Sequence, residues 1–490
     1  MCPKMNVAIV TPEALPFAKS GELADFSAAL PKYLASLGLN VTLIMPKYRT
    51  PEIESLPTQT VLPELSVPLG GERVKAGVSK AEHGYFDIYF IDNPKYFLRE
   101  RIYGPSTGEY LDNDERFIFF SRAVLEFLLK SKLRLDIIHC HNWPSALVPV
   151  FLKTHYRNER AFSRVATVFT LHNVAFQGDF PPESLVLTEL NWNYFNPREL
   201  SLNGRFNFLK AGVVYADVVN TVSSAYKKEI LAKKHSRGLS EILQSRRGTF
   251  FSVRSGIDYE AWNPEKDPYL AANYGPADIS GKNACKLALI KELGLRLPET
   301  SPIIAYISHL SRFKGTDILL EALDEIGAME AALVVCGEGE ERYELALGEA
   351  ARRHRGRIAA PLEIRPALVH KVVAGADILL IPSLHEPCGL NQFCGFRYGT
   401  IPVVRATGGL KETVKPYSPA TGKGNGFVFQ EYSAAALLAA LREATDCYRN
   451  APDAWRRLRE EGLRENYSLE VTARGYVRLY QKALRSKRGG

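Results

Sequence analysis

The sequence predicts an α/β protein with two doubly wound, Rossmann-like domains facing across a cleft. Three observations predict it. Short apolar strands alternate with helical repeats in the first half, the alternation restarts near residue 302, and 490 residues are too many for one core. Strands this apolar, separated by helices, belong to parallel sheets covered on both faces. The pattern places a first domain over residues 1–262, a second over 263–467 and a terminal segment over 468–490.

The elements follow in order. Asn6 to Thr11 reads as a buried strand, and Leu23, Phe26, Leu30, Leu34 and Leu37 repeat at helical spacing until Gly38 stops the helix. Strands are expected at Leu39–Met45, Asp136–Cys140, Val165–Leu171 and Asp217–Val222. Gly256 to about Asp267, rich in Asn, Pro and Asp, reads as a hinge. The second half gives a strand at Pro302–Ser308, a helix at Gly315–Leu323, and strands at Ala332–Cys336, Asp377–Pro382 and Ile401–Arg405. A final helix is expected over Ser468–Leu484.

Bulk composition narrows the function class. Hydrophobic content of 46% and charged content of 24% are ordinary for a soluble globular enzyme. No apolar run reaches the ~18 residues of a membrane span. The N-terminus runs into a strand without a signal-peptide core. The seven cysteines, Cys2, Cys140, Cys285, Cys336, Cys388, Cys394 and Cys447, form no CxxC pair, which implies reduced thiols, a cytoplasmic protein and mostly core packing roles. Net charge is +8, but Arg352-Arg353-His354-Arg355 and the Arg485-Ser486-Lys487-Arg488 tail accompany no nucleic-acid motif, so both read as solvated surface. Neither nucleic acid nor membrane is an expected partner.

Chemistry concentrates where predicted strands end. After Pro382-Ser383 comes a carboxylate, Glu386, in a tight turn, then Gly389 opening a helix, with Gly408-Gly409-Leu410 downstream. A carboxylate accepts sugar hydroxyls, and helix N-terminal N–H groups suit phosphate, so the pair points to a nucleotide sugar. Lys19-Ser20-Gly21 follows the first strand, where a lysine and backbone N–H groups can cradle phosphate; a plain turn is the competing reading. His172-Asn173, with Gln177-Gly178 beyond, sits at a strand's carboxyl end and points to the crevice, against the alternative of a structural histidine. Arg312 and Lys314 precede the first helix of the second half and oppose a diphosphate, unless they are merely solvated. His139 and His141 share a strand face without a third ligand, and no DxD-type pair occurs, so no metal and no other cofactor is expected.

Taken together, these segments resemble the bacterial glycogen synthase and plant starch synthase family, retaining glucosyltransferases of the GT-B fold. The resemblance runs from about Met5 to Leu484. It includes Lys19-Ser20-Gly21, Met45-Pro46-Lys47-Tyr48, Tyr103-Gly104, His172-Asn173, Gly256-Ile257-Asp258, Lys314-Gly315, Glu386-Pro387-Cys388-Gly389-Leu390 and Thr407-Gly408-Gly409-Leu410. It implies transfer of glucose from ADP-glucose to the 4-hydroxyl at the non-reducing end of glycogen or another α-1,4-glucan. It also implies that the last helix packs back on the first domain. The catalytic roles it implies fall to His172 at the transferred sugar, Lys314 at the diphosphate and Glu386 at the sugar hydroxyls. Lys19, Gly21, His309, Arg312, Gly389, Leu390, Gly408 and Gly409 fall on the donor side; Asn142 and Tyr103 fall on the acceptor side. With no obvious carboxylate nucleophile, a same-face displacement is expected.

Five departures cluster in that pattern. Glu22 stands where the family has glycine; ~4 Å from a phosphate charge it would repel by about 4 kcal/mol at an effective dielectric of ~20, roughly a thousandfold. His309 replaces an arginine, losing the fork-shaped contact. Asn142 replaces an aspartate, Ile364 an aromatic residue and Cys394 a tyrosine. Two other functions therefore stand beside the glucan synthase: a weak or inactive glucan- or nucleotide-binding paralogue, and a transferase using another nucleotide sugar such as UDP-glucose.

Overall fold

The computed structural model describes residues 5–99, 101–105 and 108–489. Cys2 and the side chain of Arg488 lie outside the described residues. The chain divides into two compact units: Met1–Ser255 with Leu469–Gly490, and Gly256–Ser468.

In the first unit the strands are β1 (Asn6–Val10), β2 (Asn40–Pro46), β3 (Gln59–Leu69), β4 (Glu72–His83), β5 (Phe86–Asp92), β6 (Ile137–His141) and β7 (Ala166–Leu171). The short strands β8 (Asp179–Phe180), β9 (Ser201–Leu202) and β10 (Arg205–Asn207) follow, then β11 (Val218–Thr221) and β12 (Phe250–Ser252). Nine strands form one sheet in the order β12-β11-β7-β6-β1-β2-β5-β4-β3, and β8-β10-β9 form a small antiparallel sheet. From β1 the chain goes to β2 on one side and later returns to β6 on the other, so the switch point lies between β1 and β6, where crevices open at strand carboxyl ends. Val7 to Val10 are fully buried because helices cover both faces of the parallel strands. The helix Glu22–Ser36 buries Leu23, Phe26, Leu30 and Leu34, and Gly38, at φ +90°, ends it.

The β3–β4 hairpin and its antiparallel pairing with β5 extend the sheet beyond the strands expected from sequence. Gly70 and Gly71, at φ +62° and +86°, make its two-residue turn, which matches the twist of the flanking strands. The last helix, Leu469–Gly489, packs on the helix Glu22–Ser36 and on β7, with Ala473, Tyr476, Tyr480 and Ala483 buried.

The second unit holds β13 (Ile303–Ile307), β14 (Ala332–Cys336), β15 (Ile358–Ala359), β16 (Ile378–Ile381), β17 (Ile401–Arg405) and β18 (Phe427–Phe429). They form an all-parallel sheet in the order β15-β14-β13-β16-β17-β18, with its switch point between β13 and β16. The helix after β13 runs Thr316–Ala328, longer than expected because Ile318, Leu319, Ala322 and Ile326 continue the buried stripe past Leu323. The stretch expected as a hinge is folded into this unit. The Ile257 N–H donates to the Tyr467 carbonyl at 2.9 Å, and buried Asp267 accepts from Tyr398 at 2.6 Å and pairs with His370 at 2.7 Å. Its Asn, Pro and Asp residues make local turns against a packed surface.

Candidate active site

Most site residues of the first unit come from loops after β1, β6 and β7, three neighbouring strands, and Tyr103 comes from the segment after β5. After β1, the buried carboxylate of Glu13 organises the next loop. It accepts the Ser20 N–H at 2.6 Å, the Gly21 N–H at 3.1 Å and the Ser20 hydroxyl at 2.9 Å. Burial raises the Glu13 pKa, and the Ser20 and Gly21 donors oppose the rise. The sequence expectation for Gly21 needs correction here. The Ser20 and Gly21 amides donate inward to Glu13 rather than forming an array for phosphate. A Cβ on Gly21 would meet no atom within 4 Å, so the loop's open side is not closed by packing. Lys19 is half exposed and pairs with Asp25 at 2.9 Å. Burial raises the Asp25 pKa, Lys19 opposes that rise, and the neighbouring charge of exposed Glu22 adds to it.

His172 follows β7. Its N–H donates to Asn142 Oδ1 at 2.9 Å, and its Nε2 lies 2.9 Å from His141 Nδ1. Phe26 meets the His172 ring edge-on at 5.0 Å. The ring keeps some exposed surface, yet dense surrounding protein desolvates it and drives its pKa down to about 3. His172 is therefore neutral near pH 7, suited to a sugar hydroxyl and unsuited to balancing a diphosphate. Asn142 occupies φ +57°, ψ −179°, a region costly for a side chain, while gripping the His172 amide. Tyr103 packs on Trp143 at 5.9 Å, and its hydroxyl lies 3.5 Å from Glu13. A chain of contacts thus links Gly21, Glu13, Tyr103, Trp143, Asn142 and His172.

In the second unit, Lys314 Nζ reaches both oxygens of Glu386, at 3.0 and 2.9 Å, and Ser383 donates to one of them at 2.8 Å. The Glu386 side chain is 3% exposed and that of Lys314 25%, so the pair has a buried acid and an ammonium that still reaches the surface. A carboxylate this buried requires such a partner. Lys314 is consequently a cation shared with Glu386. His309 is exposed on the loop after β13, and exposed Arg312 lies 3.6 Å from Asp317.

Gly389 takes φ +68°, but the helix it was expected to open begins at Asn391, after Leu390, and spans only Asn391–Arg397. Gly408 and Gly409 also differ from expectation. The Gly409 N–H donates to the Glu386 carbonyl at 3.0 Å, so it is not offered to an anion. Cβ atoms on Gly408 and Gly409 would lie 2.0 Å from Glu386 O and 1.7 Å from Cys388 O. These glycines let the backbone touch the Glu386 loop. Arg405, which the sequence reading gave no role, donates to the Ser383 and Leu384 carbonyls at 2.8 and 2.6 Å from the other side. Glu13 was missed likewise; its proximity to strand β1 was the available signal. Ile364 is exposed and Cys394 buried within the helix Asn391–Arg397. Among the described residues, no group of three His, Cys, Asp or Glu could hold a metal ion.

A model of the starch synthase catalytic domain matches residues 6–245, and one of glycosyl transferases group 1 matches residues 292–462. A glycogen synthase of Koribacter versatilis is 39% identical over 485 residues, covering 98% of both chains. This chain belongs to the glycogen synthase and starch synthase family. The catalytic domain of starch synthase IV from Arabidopsis thaliana, bound to ADP and acarbose, matches with a TM-score of 0.91 and 30% identity over 98% of this chain and 100% of that one. Sucrose-phosphate synthase from Thermosynechococcus elongatus shares the fold, with a TM-score of 0.63 at 17% identity over 98% and 99% of the two chains. The two α/β units are those of a GT-B glycosyltransferase. As a glycogen synthase relative, the protein carries its substitutions on exposed loops (His309, Ile364), at the exposed start of one helix (Glu22), inside another (Cys394) and at one strained turn (Asn142).

Proposed function

We propose that this protein is a glycogen or starch synthase, a retaining glucosyltransferase that moves glucose from ADP-glucose to the non-reducing end of an α-1,4-glucan. The observation that carries the assignment of roles is the Lys314–Glu386–Ser383 cluster, with its carboxylate buried, at the switch point of the second unit. Glu386 holds the hydroxyls of the transferred glucose. Lys314, keeping one face to solvent, meets the diphosphate as negative charge grows on it when ADP leaves. His309 and Arg312 supply further donors to that diphosphate from the same loop. Gly389 and Leu390 border the site, and Gly408 and Gly409 hold the Glu386 loop in place. In the first unit, neutral His172 contacts the sugar, Lys19 contacts donor phosphate, and Asn142 and Tyr103 serve the acceptor side.

Charge neutralisation by lysine and arginine makes the reaction metal-independent in this reading, and the protein acts in the cytoplasm on glycogen or a similar glucan. Fixed donors stabilise the departing anion, and the new bond forms on the face that ADP leaves. The test is transfer of labelled glucose from ADP-glucose and from UDP-glucose to glycogen, with EDTA present, and with the anomer of the new linkage read by NMR. ADP-glucose transfer giving an α-linkage supports the proposal. Transfer only from UDP-glucose reassigns the donor, and glycogen binding without transfer from either donor points to a binding protein.

A further inference from the structure

A buried hydrogen-bond network on the C-terminal helix reaches His139, and a ring contact from His139 to His141 joins it to the His141–His172 hydrogen bond. Tyr480 lies 2.9 Å from His139 Nδ1, His139 Nε2 lies 2.6 Å from Thr170 Oγ1, the Thr170 hydroxyl donates to Asn220 Oδ1 at 2.7 Å, and Asn220 Nδ2 donates to Tyr476 at 3.2 Å. With the Asn220 amide oxygen facing Thr170 and its nitrogen facing Tyr476, the proton count has one solution. Thr170 spends its only proton on Asn220, so it accepts from His139, and His139 carries its proton on Nε2. His139 Nδ1 is then bare and accepts from the Tyr480 hydroxyl. Burial keeps Tyr480 protonated and His139 neutral, in agreement with that direction.

The His139 ring supports the next one. It packs on His141 at 4.1 Å, and His141 Nδ1 lies 2.9 Å from His172 Nε2. His141 Nε2 is buried with no hydrogen-bond partner among the described residues. Orphaned buried N–H groups are rarer than under-satisfied acceptors, so the unpaired nitrogen is the bare one. His141 then holds its proton on Nδ1 and donates it to His172.

We propose that Tyr480 is a positioning residue for glucosyl transfer, acting through His139 and His141 to hold His172 with its proton on Nδ1, ready to donate to the sugar. This rests on the reading that His172 meets the transferred glucose. The C-terminal helix thereby has a part in the chemistry as well as in packing.

Neutron diffraction from deuterated crystals of the full chain reads the protons directly. Deuterium on Nε2 of His139 and on Nδ1 of both His141 and His172 is expected; deuterium on Nε2 of His172 overturns the inference. Kinetics give an independent arm. Tyr480→Phe keeps the ring and removes the donor, and kcat should fall about tenfold, the low end for losing a partner that orients a site histidine, with KM for ADP-glucose changed by less than about twofold. A lowered melting temperature with unchanged kcat per folded molecule shows a structural role only and contradicts the proposal. Unchanged Tyr480→Phe turnover beside an inactive His172→Ala sinks this inference alone, whereas a fully active His172→Ala sinks the reading beneath it.

Discussion

Glu386 is a charge that the fold cannot leave alone: 3% exposed, held by Lys314 at two oxygens and by Ser383 at one. Removing its charge while keeping its shape tests its role cleanly. Glu386→Gln should lower kcat by about a hundredfold or more, the cost typical of losing one pre-organised electrostatic contact, measured as ADP release in the presence of glycogen. Glu22 invites the opposite change. It is exposed, and its charge bears on Asp25, the partner of Lys19. An exposed charge acts weakly, about 0.2–1 kcal/mol, far below the repulsion of a direct phosphate contact. Glu22→Gly should therefore lower KM for ADP-glucose only a few-fold, by removing one negative charge beside the Lys19–Asp25 pair; a rise in KM would show that Glu22 itself serves the site.

At the scale of elements, the apolar parallel strands were legible because their periodicity is their burial. β14 and β17 fall where the sequence places them, and β1, β6, β7, β11, β13 and β16 fall within a residue of it. The β3–β4 hairpin was not legible as helix-alternating pattern, since its strands carry exposed residues such as Gln59, Glu64, Glu72 and Lys75, and its signal lay in Gly70-Gly71. The site was legible as types of residue at strand ends. What the sequence withheld is which donors are already used: the Gly21 and Gly409 amides go to Glu13 and Glu386, partners that only tertiary contact reveals. Gly409→Ala follows from that. Its Cβ would lie 1.7 Å from the Cys388 carbonyl, so the Glu386 loop must move. Turnover should drop by about a hundredfold or more, because misplacement near 1 Å is that costly. Thermal denaturation should show most of the stability retained, since the short helix Gly408–Thr413 is a small part of the unit.

For the whole molecule, the first unit carries three histidines in contact, buried His139 and His141 and partly exposed His172, all with pKa values lowered by desolvation. Their folded pKa lies below the unfolded value near 6.5, so their stabilisation is complete above pH 6.5 and is lost as pH falls below it, for His172 down to about 3, because the unfolded chain binds more protons there. His172 alone accounts for about 2 kcal/mol at pH 5 on that shift. Calorimetry should show the transition of the first unit moving down between pH 7 and pH 5 more than that of the second; equal shifts would mean that the histidines are not held neutral.

The central claim is that the Lys314–Glu386 pair of this glycogen synthase relative works as one unit on the sugar diphosphate. A double-mutant cycle on ADP-glucose turnover with glycogen, using Lys314→Ala, Glu386→Ala and the double variant, tests it most directly, with folding of each checked by melting temperature. Each single change should cost about a hundredfold or more, and the double variant should be little worse than the poorer single one. Losses that multiply independently, or single variants that keep the wild-type rate while folded, would contradict the account.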